Sequence, residues 1–403
     1  MSWFDKRCRT IVFNVLKQLS SGVLEVIEGK NTFKFGNIPT TSTTCSNNEQ
    51  LHGKLVIHDI SFYKTLVLNG TIGVAESFIN GKWSSPNLTA VIRIFAKAQQ
   101  ATDALESKIG WISRFQNILS HRANRNSLKG AKNNIAAHYD LGNELYTRFL
   151  DPEMMYSSAI YPHENATLDE AQRHKLDIIC QRLALKPTDN LLEIGTGWGG
   201  LAIYAAQHYG CHVTTTTISE EQYNYTRERV AALNLTDKIT LLKKDYRLLE
   251  GQYDKLVSIE MIEAVGYEYL ESFFTQCNHL LKPNGKMLLQ AITIADQRFD
   301  FYRNNVDFIQ RYIFPGGFLP SITEITQRTT RHTNMVIESL HDIGLDYAKT
   351  LAHWREKFLA SWHELPQFGY DEHFKRLWLY YFAYCEGAFL ARSTSAVHVV
   401  MRK

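Results

Sequence analysis

From residue 190 onward, short apolar runs alternate with segments whose apolar residues recur every three to four positions. Leu191, Leu192 and Ile194 form a run that predicts a buried parallel strand, and residues 201–208 follow at helical spacing. The same alternation predicts strands at 211–217, 239–244, 255–259 and 286–294, with helices at 219–233 and 268–281 between them. Thr167-Leu168-Asp169-Glu170 and Ser219-Glu220-Glu221-Gln222 have the form of capping boxes and open helices running to about residues 185 and 233. Pro283-Asn284-Gly285 is a turn signal. Strands alternating with helices imply an α/β fold, a doubly wound and mostly parallel sheet covered on both faces.

The flanks read differently. Strand-like runs at 24–27, 32–35 and 54–57 precede a helical stretch at 61–68, with turn signals at Asn69-Gly70 and Asn80-Gly81. These predict a smaller α+β domain over residues 1–110. The polar run 40–50 reads as a surface loop. The last hundred or so residues read as mostly helical and rich in aromatics, suited to a lid over an apolar pocket. The aromatic run Tyr380-Tyr381-Phe382 with Tyr384 reads as helix core.

The chain has 403 residues, 44% hydrophobic, enough for two or three domains. Its formal net charge of +3 says little, but the distribution matters. No acid lies between Ser107 and Lys132, where Lys108, Arg114, Arg122, Arg125, Lys129 and Lys132 fall. Trp111, Ile112, Phe115, Ile118 and Leu119 give the same stretch an apolar helical face. Two readings stand together for this connector, 111–134: a basic amphipathic helix on an anionic membrane surface, or an ordinary packed helix and a solvated linker. Nucleic acid is disfavoured, because no nucleic-acid motif accompanies the charge. Six scattered cysteines without a CxxC pair argue against zinc sites and a disulfide framework, and fit a reducing compartment. No apolar run reaches the length of a membrane span, so the expected location is cytoplasmic, peripherally associated with the inner membrane. The catalytic domain is expected over 135–403. The oligomeric state stays open, a homodimer included.

The chemistry begins where the first strand of that domain ends. Ile194-Gly195-Thr196-Gly197-Trp198-Gly199-Gly200 is a glycine turn between strand and helix, the unit that builds nucleotide sites at the carboxyl edge of such a sheet. Gly195-x-Gly197-x-x-Gly200 also satisfies the dinucleotide fingerprint, which wants an acid closing the second strand. That strand ends in Thr217 instead. Glu193 lies two residues before the first glycine, where S-adenosylmethionine (SAM) enzymes commonly carry an acid, so SAM is favoured over NAD. Gln222, in the first turn of its helix, can bond ribose hydroxyls, and Asp245 can accept from the adenine amino group. Each also has a plain structural reading, as helix cap and strand-end turn.

Further motifs follow in order: Gly73-Val74-Ala75-Glu76-Ser77-Phe78, His138-Tyr139-Asp140-Leu141-Gly142-Asn143, Asp151-Pro152 through Ala159, Asp245-Tyr246-Arg247, Tyr312-Ile313-Phe314-Pro315-Gly316-Gly317 and Gly387-Ala388-Phe389. In that order they resemble the cyclopropane-fatty-acyl-phospholipid synthases and the related mycolic acid cyclopropane synthases, from about residue 55 to the C-terminus. The resemblance implies a class I SAM methyltransferase fold, Rossmann-like with helical lid insertions, behind an N-terminal lipid-handling domain. It implies cyclopropanation of cis double bonds in unsaturated phospholipid acyl chains. It places SAM against Tyr156, Ser157, Gly195, Gly197, Thr217, Ile218, Ser219, Gln222, Asp245 and Tyr246, and the acid before the turn adds Glu193.

The same resemblance implies a bound bicarbonate as base, held in the family by a Cys, a Glu, a His, a Tyr and a backbone group. The matching positions here are Ser158, Glu263, Gln290, Tyr347 and Ile292. Ser and Gln keep hydrogen-bonding capacity but do not titrate near neutral pH, and Ala264 stands where the family often has a second His. Bicarbonate is therefore expected as a cofactor beside SAM, with Glu263 serving deprotonation. Methyl- or methylene-branched chains are the alternative products, and a non-catalytic lipid-binding protein is the alternative class.

Overall fold

The computed structural model describes residues 2–36, 51–98 and 142–403. The basic connector, residues 138–141 and the loop at 40–50 thus lie outside the described residues. Two compact units result, and they do not follow contiguous boundaries. The first gathers the described residues before 99 with Asn304–Ile313 and Pro366–Ser393; the second takes 142–303, Phe314–Leu365 and Thr394–Lys403.

In the first unit, strands β1 (Val23–Glu28), β2 (Asn31–Phe35), β3 (His52–Ile57) and β4 (Trp83–Ser84) form a sheet of order β2-β1-β3-β4. The helix Ser61–Ile79 runs past Asn69-Gly70, and Gly70 kinks it at φ 59° where a turn was expected. The helix Glu372–Leu390 belongs here too, with Trp378, Tyr380, Tyr381 and Phe382 buried. Phe78, Phe308 and Tyr380 pack ring against ring within this unit.

The second unit holds β5 (Asn190–Ile194), β6 (His212–Thr216), β7 (Ile239–Leu242), β8 (Tyr253–Ile259), β9 (Leu281–Ile294), β10 (Val336–Asp342) and β11 (Thr394–Arg402), in the order β10-β11-β9-β8-β5-β6-β7. β7, β6, β5, β8 and β9 run parallel, and β11 and β10 close the edge antiparallel. Alternation along β5 feeds two cores. Leu191 packs with Cys180, Ala205 and Val213 on one face, and Leu192 and Ile194 pack with Phe273, Phe274 and Leu289 on the other. All three are at most 1% exposed, and burying each contributes about 1.5–3 kcal/mol.

The C-terminal hundred residues are mostly helical, as expected, and also hold the strands β10 and β11, the latter buried over Ala396–Met401 and paired with β9. One expectation needs correcting. Pro283-Asn284-Gly285 does not separate a helix from a strand; it lies inside β9, where Asn284 takes φ 63° and the pairing with β8 shifts register.

Candidate active site

The parallel strands all end along one edge, and the order reverses at β5, which has β6 on one side and β8 on the other. Ligands of such sheets bind outside the carboxyl ends at that switch point. The residues singled out from the sequence fall along this edge. The glycine turn leaves β5, the segment 217–222 leaves β6, Asp245 follows β7, and Glu260 and Glu263 follow β8.

Within the turn the glycines differ in purpose. Gly195 and Gly197 adopt φ 101° and 54°, and among the described residues a Cβ added to Gly197 would meet nothing within 4 Å. That open cradle fits a ligand approaching the backbone closely. A Cβ on Gly199 would meet Thr226 at 2.7 Å, and one on Gly200 would meet Glu153 O at 2.7 Å, so these two serve packing. Glu193 is buried in β5, where its Oε2 accepts from Thr215 Oγ1 at 2.5 Å, and Thr215 Oγ1 lies 2.7 Å from Thr196 Oγ1. Burial pushes the Glu193 carboxyl up to about 8, against the Thr215 bond and the pull of Lys175.

Ser219 caps its helix by accepting from the Gln222 N–H, but the reciprocal half of the box is not made. The Gln222 carboxamide turns instead to Thr217, whose hydroxyl donates to Gln222 Oε1 at 2.8 Å. Ile218 is half-buried between them. Asp245 caps a short 3₁₀ turn, and both its oxygens accept from the Arg247 guanidinium, at 2.8 and 2.7 Å. Its strand-end turn role is thereby present, with acceptor capacity left over. Tyr246 is buried edge-on against Phe273, and its hydroxyl has no hydrogen-bond partner among the described residues. Ser157 Oγ accepts from Lys175 Nζ at 2.8 Å. The Tyr156 ring stands among Tyr146, Phe149, Trp354 and Phe314, at 5.2 to 6.4 Å between centroids.

The five positions matched to the bicarbonate ligands do come together, around a residue that the sequence reading passed over. Glu260 Oε1 accepts from the Ser158 backbone N–H at 2.9 Å and from Gln290 Nε2 at 2.7 Å, and its Oε2 accepts from Tyr347 OH at 2.8 Å. Ile292 N–H donates to Glu263 Oε1 at 2.5 Å. The Ser158 hydroxyl donates to the Ala159 carbonyl. Each of the five therefore already has a partner, and four of them meet a carboxylate. A bicarbonate in the same place would meet the Glu260 carboxylate instead of free donors, so this set does not fit the anion.

Buried charge surrounds this centre. Lys175 lies on the inward face of the helix Leu168–Arg182, fully buried, and burial lowers its ammonium to about 8 against the opposing pull of Glu260, Asp151 and Glu193. Burial likewise raises Glu260, and raises Glu263 to about 8 with help from the neighbouring Glu260 charge. Glu263 Oε2 is buried without a hydrogen-bond partner among the described residues. Behind Gln290 stands His398, on β11 directly opposite it. Arg182 Nη1 lies 2.6 Å from His398 Nδ1, and His398 Nε2 lies 2.8 Å from Gln290 Oε1. Arginine can only donate, so Nδ1 accepts, Nε2–H donates to Gln290, and the Gln290 amide N–H groups must face Glu260 and the Ser158 carbonyl. Burial and Arg182 hold His398 well below its ordinary value, hence neutral. Lys175 and His398 left a signal in the sequence: a lysine on an apolar helix face and a histidine inside an apolar strand.

Residues 126–399 match the family model described as mycolic acid cyclopropane synthetase. The cyclopropane-fatty-acyl-phospholipid synthase of Escherichia coli K12 is 36% identical over 392 residues, 96% of this chain and 97% of that one. The tuberculostearic acid methyltransferase of Mycobacterium tuberculosis is 38% identical over 80% of this chain and 76% of its own. A solved mycolic acid cyclopropane synthase in complex with SAH and CTAB superposes with a TM-score of 0.63 at 29% identity, covering 68% of this chain and 98% of that one. A glycine turn with an open cradle, followed along the same sheet edge by a hydrogen-bonded carboxylate, is thus found in a chain that belongs to the mycolic acid cyclopropane synthetase family and is a SAM-dependent methyltransferase.

Proposed function

We propose that this protein transfers a methyl carbon from SAM to a cis double bond in an unsaturated phospholipid acyl chain and closes it to a cyclopropane. The observation that carries the reading is the carboxylate held at the switch point, beside the open cradle at Gly197. Gly195, Gly197, segment 217–222 and Asp245 would hold SAM, and Tyr156 would wall its reacting end. Bound SAM supplies a methyl on a positively charged sulfur, electrophilic enough to be attacked by an isolated alkene when held in line.

The chain's own residues do the rest. Tyr156, Phe149, Trp354 and Tyr347 present neighbouring aromatic rings, with Tyr347 and Trp354 centroids 6.1 Å apart. Such rings exclude water and favour positive charge on the acyl chain. A carboxylate at their edge can take a proton from the added carbon, and loss of that proton lets the ring close. A second reading is a methylene branch from the same intermediate charge, favoured by the likeness to the tuberculostearic acid methyltransferase.

A phospholipid substrate calls for a membrane surface. On the first helix, Trp3 and Phe4 stand 72% and 43% exposed beside Lys6 and Arg7, an aromatic and basic pairing suited to an anionic interface. Among the described residues no helix is long and apolar enough to cross a membrane. The reading is therefore of peripheral attachment at the cytoplasmic face, with the N-terminal unit handling lipid. The test is mass spectrometry of acyl chains after incubation with SAM and unsaturated phospholipid vesicles. A gain of one CH₂ that resists mild catalytic hydrogenation supports the ring, and a gain that takes up hydrogen supports the methylene branch. No change in acyl mass refutes both.

A further inference from the structure

We infer that the Glu260 carboxylate itself occupies the place of the anion and is the base that removes the proton, so that no bicarbonate is needed. The inference rests on the proposed reaction for its chemistry, and on geometry for its residue. The Ser158 N–H, the Gln290 amide and the Tyr347 hydroxyl converge on Glu260 from three separate segments, at 2.7 to 2.9 Å. Three donors around two oxygens are what a bound carboxylate-shaped anion would demand, and the side chain of residue 260 delivers that group covalently.

The backbone supports the same conclusion. Glu260 adopts φ 47°, in the left-handed region that glycine occupies without cost and that a glutamate occupies only under strain. Its own N–H donates to the Gln290 carbonyl, which pins that conformation beside β9. A strained glutamate at a strand's carboxyl end, held by three donors, is over-determined in the manner of functional residues. The relay from Arg182 through His398 fixes the Gln290 amide so that it donates. A histidine at position 290 would offer a single N–H in that direction, whereas the carboxamide serves both Glu260 and the Ser158 carbonyl.

In the step assigned to it, one C–H bond of the transferred carbon breaks and its electron pair forms the third ring bond. The proton passes to the free lone pair of Glu260 Oε2, giving a neutral carboxyl that still accepts from Tyr347. No oxidant or reductant enters, and the positive charge brought by the methyl group leaves the lipid with the proton. Glu263, with one oxygen on Ile292 N–H and the other without a partner among the described residues, is left uncharged beside it and does not compete for that role near neutral pH.

The experiment compares wild type, Glu260→Gly and Glu260→Gln in carbon dioxide-free buffer, with and without bicarbonate. Glycine removes the strain and opens an anion-sized space among the same donors, while glutamine keeps the volume and cannot act as a base. Binding is read first, by carbon-13 NMR of labelled bicarbonate with the SAH-loaded proteins. Wild type should show no saturable site and Glu260→Gly should show one. In turnover, wild type should be unaffected by bicarbonate. Both variants should fall by about 10²–10⁴-fold, the usual contribution of a general base. Added bicarbonate should restore Glu260→Gly and not Glu260→Gln. Saturable bicarbonate binding to wild type, a wild-type rate that needs bicarbonate, or a Glu260→Gln protein as fast as wild type would each overturn the inference. Absence of any lipid product from wild type would refute the proposed reaction, and the binding arm would still report on the carboxylate.

Discussion

Gly197→Val should abolish SAM binding while leaving the protein folded, and its neighbour Gly199→Ala should do the reverse. At φ 54° a residue with a Cβ suffers left-handed strain of roughly 1–2 kcal/mol, and a β-branched one somewhat more. None of the described residues lies within 4 Å of the new Cβ at 197, so no clash with them adds to that cost. The side chain instead fills the cradle offered to the cofactor. SAM affinity should fall by at least about 10²-fold, some 2.7 kcal/mol. At Gly199 the strain is similar, φ 87°, but the Cβ meets Thr226 Cγ2 at 2.7 Å in a packed interior. Overpacking there costs about 1–3 kcal/mol more and should lower stability before it touches affinity. Isothermal titration with SAM, beside urea unfolding of both variants, separates the two effects. A folded Gly197→Val protein with unchanged SAM affinity would refute the placement of the cofactor at this turn.

Lys175→Met should be among the most disruptive single changes, costing about 3–5 kcal/mol by denaturant titration, because it leaves Glu260, Asp151 and Glu193 without their buried cation. Where that variant still folds, its turnover should need a higher pH, since the Glu260 carboxylate loses a charge that favours ionisation. Glu263 is raised from its ordinary value to about 8, so the folded state holds a proton that the unfolded chain has released. That contribution is full below about pH 4.5 and is lost as pH rises through 8, and Glu263→Gln should flatten the fall in unfolding midpoint between pH 5 and 8.5. Binding to anionic vesicles should weaken as salt rises, because screening shortens to about 3 Å at 1 M, and Trp3→Ala with Phe4→Ala should weaken it further in a sedimentation assay. Equal binding to neutral vesicles would count against that attachment.

The α/β core was legible because β5 to β8 and the helices between them follow the hydrophobic period closely, and the period is set by burial on two faces of one sheet. Where the period is silent, the sequence reading failed. β11 is buried along six consecutive positions, and an evenly apolar run carries no phase to mark it as a strand. The partition of Glu372–Leu390 into the first unit is a tertiary choice that no local pattern records. The site shows the same divide more sharply. Ser158, Gln290, Tyr347 and Ile292 were singled out as holders of an anion, and the structure brings all four to carboxylates. Glu260 was missed because it is one ordinary glutamate after an apolar strand, and its left-handed backbone is invisible in one dimension. Yet the departure that looked like a loss, Gln for His, acquires a reason from it. Once the chain supplies its own carboxylate, the surrounding residues need only donate. A backbone N–H, a carboxamide and a phenol do that at any pH near neutrality, without the titration that an imidazole would bring.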